Sequence, residues 1–418
     1  MDASVEAAVA DAHRREWAYV LAATVRVTGD IDLAEECVQD AYARALTTWP
    51  VQGVPSRPGA WLTTVARRRA IDMLRRRTTH DRVVPALAGF DDADHEPADH
   101  GGVIADDRLR LIFTCCHPAL APESQVALTL RLICGLTTSE VARMFLVPEA
   151  TMAARITRAK KKIATARIPY RVPGPDELPD RIDAVLTVVH LVFTTGHTAP
   201  QGAELVRTDL VERALHLARM LRTLLPDEPD VAGLLALILL TDARLPARTA
   251  EDGTLALLAD QDRSRWDADK IAEGLRLVRE ALERRPPGRF ALMAAIAAVH
   301  AEAPTWSATD WAELVGLYDL LVTIWPSPVV SLNRAVAIGL AEGPEAGLAA
   351  LDALAGEPQL AAYGYLASAR ADFLRRLGRV DEAADAYRQA LAVTENAVEA
   401  GFLSARLAEA DHDLRSAP

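Results

Sequence analysis

The sequence predicts an all-α protein made of several domains. Apolar side chains recur at spacings of three and four residues along most of the chain, which is the period of an amphipathic helix. No stretch sustains the alternation of apolar and polar residues that is typical of a half-buried strand. Ala, Leu, Arg and Glu, which favour helix, are abundant. The length of 418 residues exceeds the roughly 300 that one core supports, so we expect more than one domain.

Charge is distributed unevenly along this chain. The totals of 46 basic and 58 acidic side chains give a net charge of -12, which by itself argues against nucleic acid as a partner. Residues 1–168, however, hold 22 of the basic and 21 of the acidic side chains, whereas residues 169–418 hold 24 and 37. Two concentrated basic blocks lie in the first part, at residues 67–82 and 155–167. The charges therefore indicate a half that binds nucleic acid and an acidic half.

The first strongly patterned helix begins near Asp30 and Asp32. Its apolar positions, from Leu33 to Leu46, recur at three and four residues and predict one buried face. The polar residues on its other faces are Glu35, Glu36, Gln39, Asp40 and Arg44. Between Pro50 and Gly59 the prolines and glycines predict a loop that a helix cannot cross.

A second helix, predicted from Ala60 to Arg77, is rich in arginine. Trp61 lies near its start and belongs to the expected buried side, and Asp72 is the single acid between two basic triplets. These triplets are Arg67, Arg68 and Arg69, and Arg75, Arg76 and Arg77. A solvated helix face would explain scattered arginines, but two triplets exceed what solubility requires. We therefore expect this face to contact phosphates.

Residues 135–163 have the spacing of a helix-turn-helix unit. Thr138 or Ser139 can cap a short helix over 140–145, Leu146 to Pro148 interrupt it, and Glu149 can open a second helix. The second helix of such a unit enters the major groove by its amino-terminal end. The residues expected to face base edges are Glu149, Ala150, Thr151 and Arg155, and those expected to hold phosphates are Arg158, Lys160 and Lys161. On this segment alone, two ordinary packed helices with a basic tail are the alternative.

The last 250 residues predict stacked helix pairs. Gly378, Val380, Ala383 and Tyr387 have the spacing of the second helix of a tetratricopeptide repeat, and a weaker copy covers 332–351. One helix pair cannot bury its own apolar face, so stacking is expected. A polar run in this region has two interpretations, either local capping and packing or an interdomain or ligand contact. Its members are Asp260, Asp262, Arg263, Arg265 and Trp266.

Neither a catalytic nor a metal site is indicated. The histidines are scattered, no glycine-rich phosphate loop is present, and no nucleophile has a base nearby in sequence, so we expect no enzyme activity and no cofactor. Cys115, Cys116 and His117 lack zinc-ligand spacing, and buried packing is the favoured interpretation. The amino terminus lacks a secretory pattern and the longest apolar run has ten residues, which predicts a cytoplasmic protein without a membrane segment.

The ordered motifs resemble those of bacterial RNA polymerase sigma factors of the extracytoplasmic-function type. The resemblance rests on the segments 32–41 and 61–74, an acidic linker, and the segment 135–160. They are similar to region 2 followed by region 4 of that family, and residues 169–418 resemble the long extension of one subgroup. Two positions depart from the family pattern, because Leu146 and Ala150 stand where the family commonly has glycine.

The resemblance implies a role for each segment. The helix from Glu35 to Leu46 would dock on the core polymerase, mainly through Gln39 and Asp40. The loop of residues 50–58 and the helix from Trp61 to Arg77 would capture and melt the minus-ten element, and the second helix of the later unit would read the minus-thirty-five element. The implied partners are core RNA polymerase, double-stranded promoter DNA and its melted single strand.

The resulting domain map has four parts. The function of the protein has three competing interpretations. Residues 1–82 are expected to form region 2, 83–105 an acidic flexible linker, 106–168 region 4, and 169–418 an all-helical extension that controls activity, either by docking on the basic half or by stabilising the polymerase complex. A stand-alone helix-turn-helix regulator with a repeat domain is the main alternative. An enzyme or scaffold with a coincidental helix-turn-helix is the third.

Overall fold

The computed structural model describes residues 3–80, 107–145, 147–199, 201–250, 253–283, 286–361 and 363–416. Over these residues the chain folds into eighteen α-helices joined by short turns, and two strands of two residues each pair in parallel. The all-α prediction is confirmed. The expected linker at 83–105 and Leu146 of the expected turn lie outside the described residues. Contacts divide the chain into two compact units, Met1–Val189 and His190–Pro418.

The helices of the first unit differ widely in length. They are α1 (Ala3–Thr28), α2 (Ile31–Gln52), α3 (Pro58–His80), α4 (Asp107–Cys115), α5 (Pro122–Leu128), α6 (Thr138–Met144), α7 (Glu149–Thr165) and α8 (Leu178–His197), the last of which crosses the division between the units. A π-helical turn, Thr129–Ile133, continues α5.

The second unit is a series of antiparallel helix pairs. Its elements are β1 (Gln201–Gly202), α9 (Thr208–Leu224), α10 (Pro229–Asp242), α11 (Ala268–Glu283), α12 (Arg289–Glu302), α13 (Trp311–Ile324), α14 (Pro328–Ala341), α15 (Pro344–Asp352), α16 (Gly364–Arg376), α17 (Val380–Ala392), β2 (Glu395–Asn396) and α18 (Ala397–Ser416). Asn396 anchors the strand pair, since its side-chain amide donates to the carbonyl oxygens of Ala199 and Glu204.

Helices α1, α2 and α3 pack together, and α2 begins where the sequence predicts. The Asp30 carboxylate caps it by accepting from the backbone N–H groups of Asp32 and Leu33. The sequence predicts that this helix stops at Pro50, but in the structure it continues to Gln52. Trp49 explains this, because it is 1% exposed, packs edge-on against Trp61, and its carbonyl accepts the N–H of Gly53 at φ 82. The expected loop is therefore shorter at its start.

The helix-turn-helix has the predicted second helix and a different first cap. Thr137, rather than Thr138 or Ser139, caps α6: its hydroxyl accepts the N–H of Glu140, whose carboxylate accepts the N–H of Thr137. Helix α7 begins at Glu149, as predicted. Val141 and Met152 are fully buried, so the two helices share a core.

Cys115 and Cys116 are also buried, and burial raises the pKa of both thiols.

The predicted repeat-like helix pairs are confirmed at the end of the chain. Gly378, at φ 74, forms the turn between α16 and α17, and Gly343, at φ 112, forms the turn between α14 and α15. The Phe373 ring packs so closely on Gly339 and Gly347 that a methyl group at either glycine would clash with it. Both glycines are therefore required for the two pairs to stack.

No helix in the described part of the chain has both the length and the apolar character needed to cross a bilayer.

Candidate nucleic-acid and partner interfaces

One face of α2 presents polar side chains to solvent. Glu36, Gln39, Asp40 and Arg44 are exposed and recur at three and four residues, so they lie along one stripe. Asp40 already has a partner, since its Oδ2 accepts a hydrogen bond from Arg69 Nε at 2.8 Å. Both side chains of that pair remain well exposed, which makes the pair weak and easily exchanged for an outside partner.

Glu35 lies apart from that stripe. It is 5% exposed, and its carboxylate forms an ion pair with Arg131 Nη2 at 2.7 Å and a second one with Lys160 Nζ. Arg131 belongs to the π-helical turn and Lys160 to α7, so Glu35 joins α2 to two elements of the helix-turn-helix region. In this arrangement its carboxylate faces the interior and not an external partner.

The basic side chains of α3 divide into two groups. Arg68, Arg75 and Arg76 are exposed. Arg67 is half-buried, and burial, followed by the neighbouring charge of Arg26, lowers the pKa of its guanidinium group. Trp61 is half-buried against Trp49, with ring centroids 5.6 Å apart. The outer part of α3 can therefore contact phosphates, while its inner part serves packing.

Helix α7 offers most of its predicted recognition face to solvent. Glu149, Ala150 and Thr151 are exposed at its amino-terminal end. Arg155 is half-buried, with its guanidinium 5.8 Å from the centre of the Phe145 ring. The remaining predicted cations of this face that are exposed are Arg158 and Lys161.

Lys160 is the exception on α7. Its side chain is 14% exposed and donates to Asp32 Oδ1 at 2.7 Å and to Glu35 Oε2. Burial disfavours its charge, but the Glu35 charge and the hydrogen bonds to both carboxylates outweigh burial and raise the pKa of the ammonium group. Lys160 is therefore a charged group that is engaged inside the protein and not presented to phosphate.

Further contacts hold the first three helices to the helix-turn-helix region. Trp17 Nε1 donates to the carbonyl of Leu132 at 3.1 Å, and the hydroxyl of Tyr170 donates to the carbonyl of Ala22 at 2.9 Å. Gly135, at φ 70, lies against Trp17 so closely that a Cβ there would be 2.9 Å from the ring. We call this set of contacts, together with the Glu35 ion pairs, the closed interface.

Sequence reasoning missed the residues of the closed interface. Trp17, Arg131 and Tyr170 carry no motif, and their partners are distant in sequence. One signal was available for Glu35, because it lies four residues after Ile31 and three before Val38, both of which are buried. That spacing assigns it to the buried face of the helix.

The polar run of the second unit is part of a turn. Asp260 is exposed, and the exposed Asp262 caps a 3-10 turn by accepting from the N–H of Ser264. Arg265 is exposed, whereas Trp266 is 7% exposed. Arg263 donates to the carbonyl oxygens of His300 and Ala303. The run thus contains both a cap and buried groups that the cap does not explain.

Three family models match the chain in order. Residues 12–79 match Sigma-70 region 2, residues 110–163 match Sigma-70 region 4, and residues 181–282 match a family of unknown function, DUF6596. The first match covers α2 and α3, the second covers α6 and α7 up to Ile163, and the third begins within α8.

Relatives of the chain include one that spans nearly all of it and others that span only its first part. An uncharacterized protein of Rhizobium meliloti, R00370, is 44% identical over 93% of this chain and 92% of its own length, and so includes the extension. The probable ECF RNA polymerase sigma factor SigI of Mycobacterium tuberculosis is 31% identical over 38% of this chain and 56% of its own length. The ECF RNA polymerase sigma factor SigJ of the same species is 30% identical over 35% and 46%.

Replacing Lys160 with Ala should open the closed interface. The change removes one of the two cations that neutralise buried Glu35, which should destabilise the closed form by about 2 kcal/mol. The measurement is the distance between fluorescent labels on Thr47→Cys and Thr165→Cys. Both positions are exposed, and the four native cysteines are buried and should not label. Lys161→Ala is the matched control, since Lys161 is exposed; unchanged distances in Lys160→Ala would contradict the role of Glu35.

Proposed function

Because the chain belongs to the bacterial RNA polymerase sigma factors of the extracytoplasmic-function type and directs the polymerase to promoters, we propose a division of labour among its helices. Helix α2 binds the core enzyme through Glu36, Gln39, Asp40 and Arg44, α3 binds the minus-ten element, and α7 reads the minus-thirty-five element. The observation that carries this proposal is the exposed polar stripe of α2 beside the exposed arginines of α3.

The domain roles follow the same division. Residues 1–82 act as region 2 and residues 106–168 as region 4, joined by an acidic linker at 83–105 and followed by the extension. Glu149, Ala150, Thr151 and Arg155 read base edges, because the amino-terminal end of a recognition helix lies deepest in the major groove. Arg158 and Lys161 contact phosphates. Lys160 joins them only after it leaves Glu35.

The closed interface has to open for promoter binding. The centres of the minus-ten and minus-thirty-five elements are about 25 base pairs apart, which is about 85 Å along B-DNA at roughly 34 Å per turn. Helix α7 has 17 residues and is therefore only about 26 Å long. A direct ion pair between α2 and α7 leaves no such separation between the two reading helices. Polymerase and DNA therefore bind a form in which Glu35 and Lys160 are apart.

The melted strand is bound by the exposed part of α3. Arg68, Arg75 and Arg76 supply positive charge along one helix, and the Gly53–Arg57 loop precedes it. A basic surface beside a pocket for an unstacked base is the general requirement for holding single-stranded DNA. Trp61, half-buried against Trp49, supports the start of this helix and does not itself stack with a base in the closed arrangement.

The extension controls this activity. Its charge favours a regulatory role, because 37 acidic and 24 basic side chains follow a half with two basic blocks. Since the Rhizobium relative shares nearly the whole chain, the extension is not peculiar to this sequence. The protein acts in the cytoplasm, where its polymerase and promoters are, and serves as an initiation factor without catalysis of its own.

Replacing Gln39 and Asp40 together with Ala should weaken binding to core polymerase about 10-fold, since exposed polar contacts contribute about 1 kcal/mol or less each. The measurement is the dissociation constant of the full chain with purified core enzyme. Glu6→Ala, which removes an exposed acid from α1, is the control. Equal affinity of the double variant and the wild type would show that the docking surface lies elsewhere.

The two classes of contact on α7 should separate in a scan of promoter variants. Arg155→Ala should reduce promoter binding by about 1 to 3 kcal/mol and relax preference at one base position. Lys161→Ala should weaken all sequences alike and reduce the dependence on salt. The scan compares affinities of each variant for every single-base change, at two salt concentrations. The opposite pattern would reverse the assignment of these two residues.

Run-off transcription with core polymerase tests both promoter recognition and the role of the extension. The full chain should support initiation at a specific site; duplex binding without core would favour a stand-alone regulator. A chain cut after Ile168 would lose the Tyr170 hydrogen bonds and the bond from Arg181 to the Phe113 carbonyl. A chain of residues 1–199 retains them and is the matched control. Initiation by 1–199 should differ from that of the full chain, and equal activity would exclude control by the extension.

A further inference from the structure

Three arginine side chains of the second unit lie close together and half-buried. Arg244 and Arg248 flank a 3-10 turn, Leu245–Ala247, and Arg263 begins the 3-10 turn that follows. The charges of Arg248 and Arg263 both act on the guanidinium group of Arg244. We call Arg244, Arg248 and Arg263 the arginine cluster.

The partners of the arginine cluster are neutral. Arg248 donates to the carbonyl of His197 and, at 3.1 Å, to the hydroxyl of Thr198. Arg263 donates to the carbonyls of His300 and Ala303 at 2.7 and 2.6 Å. The side chain of Arg244 makes no hydrogen bond or ion pair within the described residues. In the same part of the chain, no carboxylate forms an ion pair with any of the three.

Several polar atoms next to the arginine cluster are buried without a hydrogen-bond partner. They are Nη2 of Arg263, Nε1 of Trp266 and Nδ1 of His300. The Arg263 guanidinium stacks on the Trp266 ring at 4.4 Å, so these groups belong to one place in the fold. A buried donor without an acceptor costs about 1 to 3 kcal/mol, and buried charges in proteins are normally paired. An acceptor with negative charge would satisfy both requirements.

The electrostatics of the surrounding groups agree with this. Burial, and then the charges of Arg248 and Arg263, lower the pKa of Arg244 to about 10. Burial and the neighbouring arginines also lower the pKa of His300 to about 4 and that of His197 to about 2, so both imidazoles are neutral at neutral pH. Among the described residues, Glu399 is the carboxylate whose charge acts on the arginine cluster, on the Arg248 side, and it accepts a hydrogen bond from the Tyr365 hydroxyl. Tyr318 faces Arg244 as a neutral phenol, since burial raises its pKa to about 12.

We propose that Arg244, Arg248 and Arg263, with the Trp266 indole N–H, bind a small oxyanion in the extension. A phosphate or carboxylate group has several acceptor oxygens and matches the fork geometry of guanidinium donors. The ligand neutralises charges that the described residues leave without a counter-ion. This site lies within the second unit and is independent of promoter recognition, so binding can be measured without polymerase or DNA.

The test uses the full chain and two probes, inorganic phosphate and succinate, titrated at constant ionic strength with chloride as the reference anion. Calorimetry should give saturable binding of at least one probe, and the melting temperature should rise with its concentration. Binding of phosphate alone assigns a phosphate ligand, and binding of succinate alone assigns a carboxylate; either supports the proposal. Binding of neither overturns it.

Arg244→Gln is the decisive variant. It should weaken binding about 10-fold or more, because one charged hydrogen-bond donor is lost. In buffer without either probe it should melt no lower than the wild type, since Arg244 has no bond to lose and its repulsion with Arg248 and Arg263 is removed. Arg265→Gln, an exposed arginine in the same turn as Arg263, should bind normally and is the matched control.

Three outcomes would overturn the proposal. The first is that Arg244→Gln retains wild-type affinity. The second is that Arg244→Gln melts lower than the wild type, or fails to fold, in the absence of a probe, because either loss of stability would mean a structural role for Arg244. The third outcome concerns Glu251 and Asp252, which lie outside the described residues. If phosphate binds only after Glu251→Gln and Asp252→Asn, those carboxylates are the counter-ions, and no external anion is needed.

Discussion

The carboxylate of Glu35 is the group on which the closed arrangement of the first unit depends. A buried carboxylate has to be neutralised, and both of its cations come from the helix-turn-helix region, Arg131 from the π-helical turn and Lys160 from α7. Helix α2 can therefore bury Glu35 only while that region is docked against it. The packing of Trp17 on Gly135 adds an apolar contact to the same interface. A single charge thus links α2 to α7.

Such a link suits a protein that has to open. Removing two charges from water costs nearly as much as their attraction returns, so a buried ion pair contributes little net stability. In the open form that we propose, Glu35 and Lys160 both regain water, and Lys160 becomes available to phosphate. The closed form therefore has a defined geometry but little net stability. The free energy of binding to polymerase and DNA can exceed the free energy that keeps the interface closed. An apolar seam of the same area would be harder to separate.

What the sequence could predict is local, and what it could not predict is the pairing of distant groups. The period of α2, the start of α7 at Glu149 and the turns at Gly378 and Gly343 depend on residues close in sequence, and they agree with the structure. The predicted end of α2 at Pro50 is wrong because the buried Trp49 stabilises the last turn of the helix. Charged residues on an amphipathic helix are usually exposed, and only a partner more than 90 residues away makes Glu35 an exception.

Half-buried cations of this chain differ in whether a carboxylate neutralises them, and the difference bears on the extension. In the first unit Lys160 meets the carboxylates of Glu35 and Asp32, whereas the half-buried Arg67 and Arg181 form no ion pair within the described residues. In the second unit Lys270 likewise pairs with buried Asp242 at 2.9 Å, so this unit can also supply acids where packing requires them. Arg244 lies two residues after Asp242, yet it has no such partner among the described residues. A fold that neutralises one cation and leaves nearby arginines with neutral partners or with none has a place for an anion that is not part of this architecture.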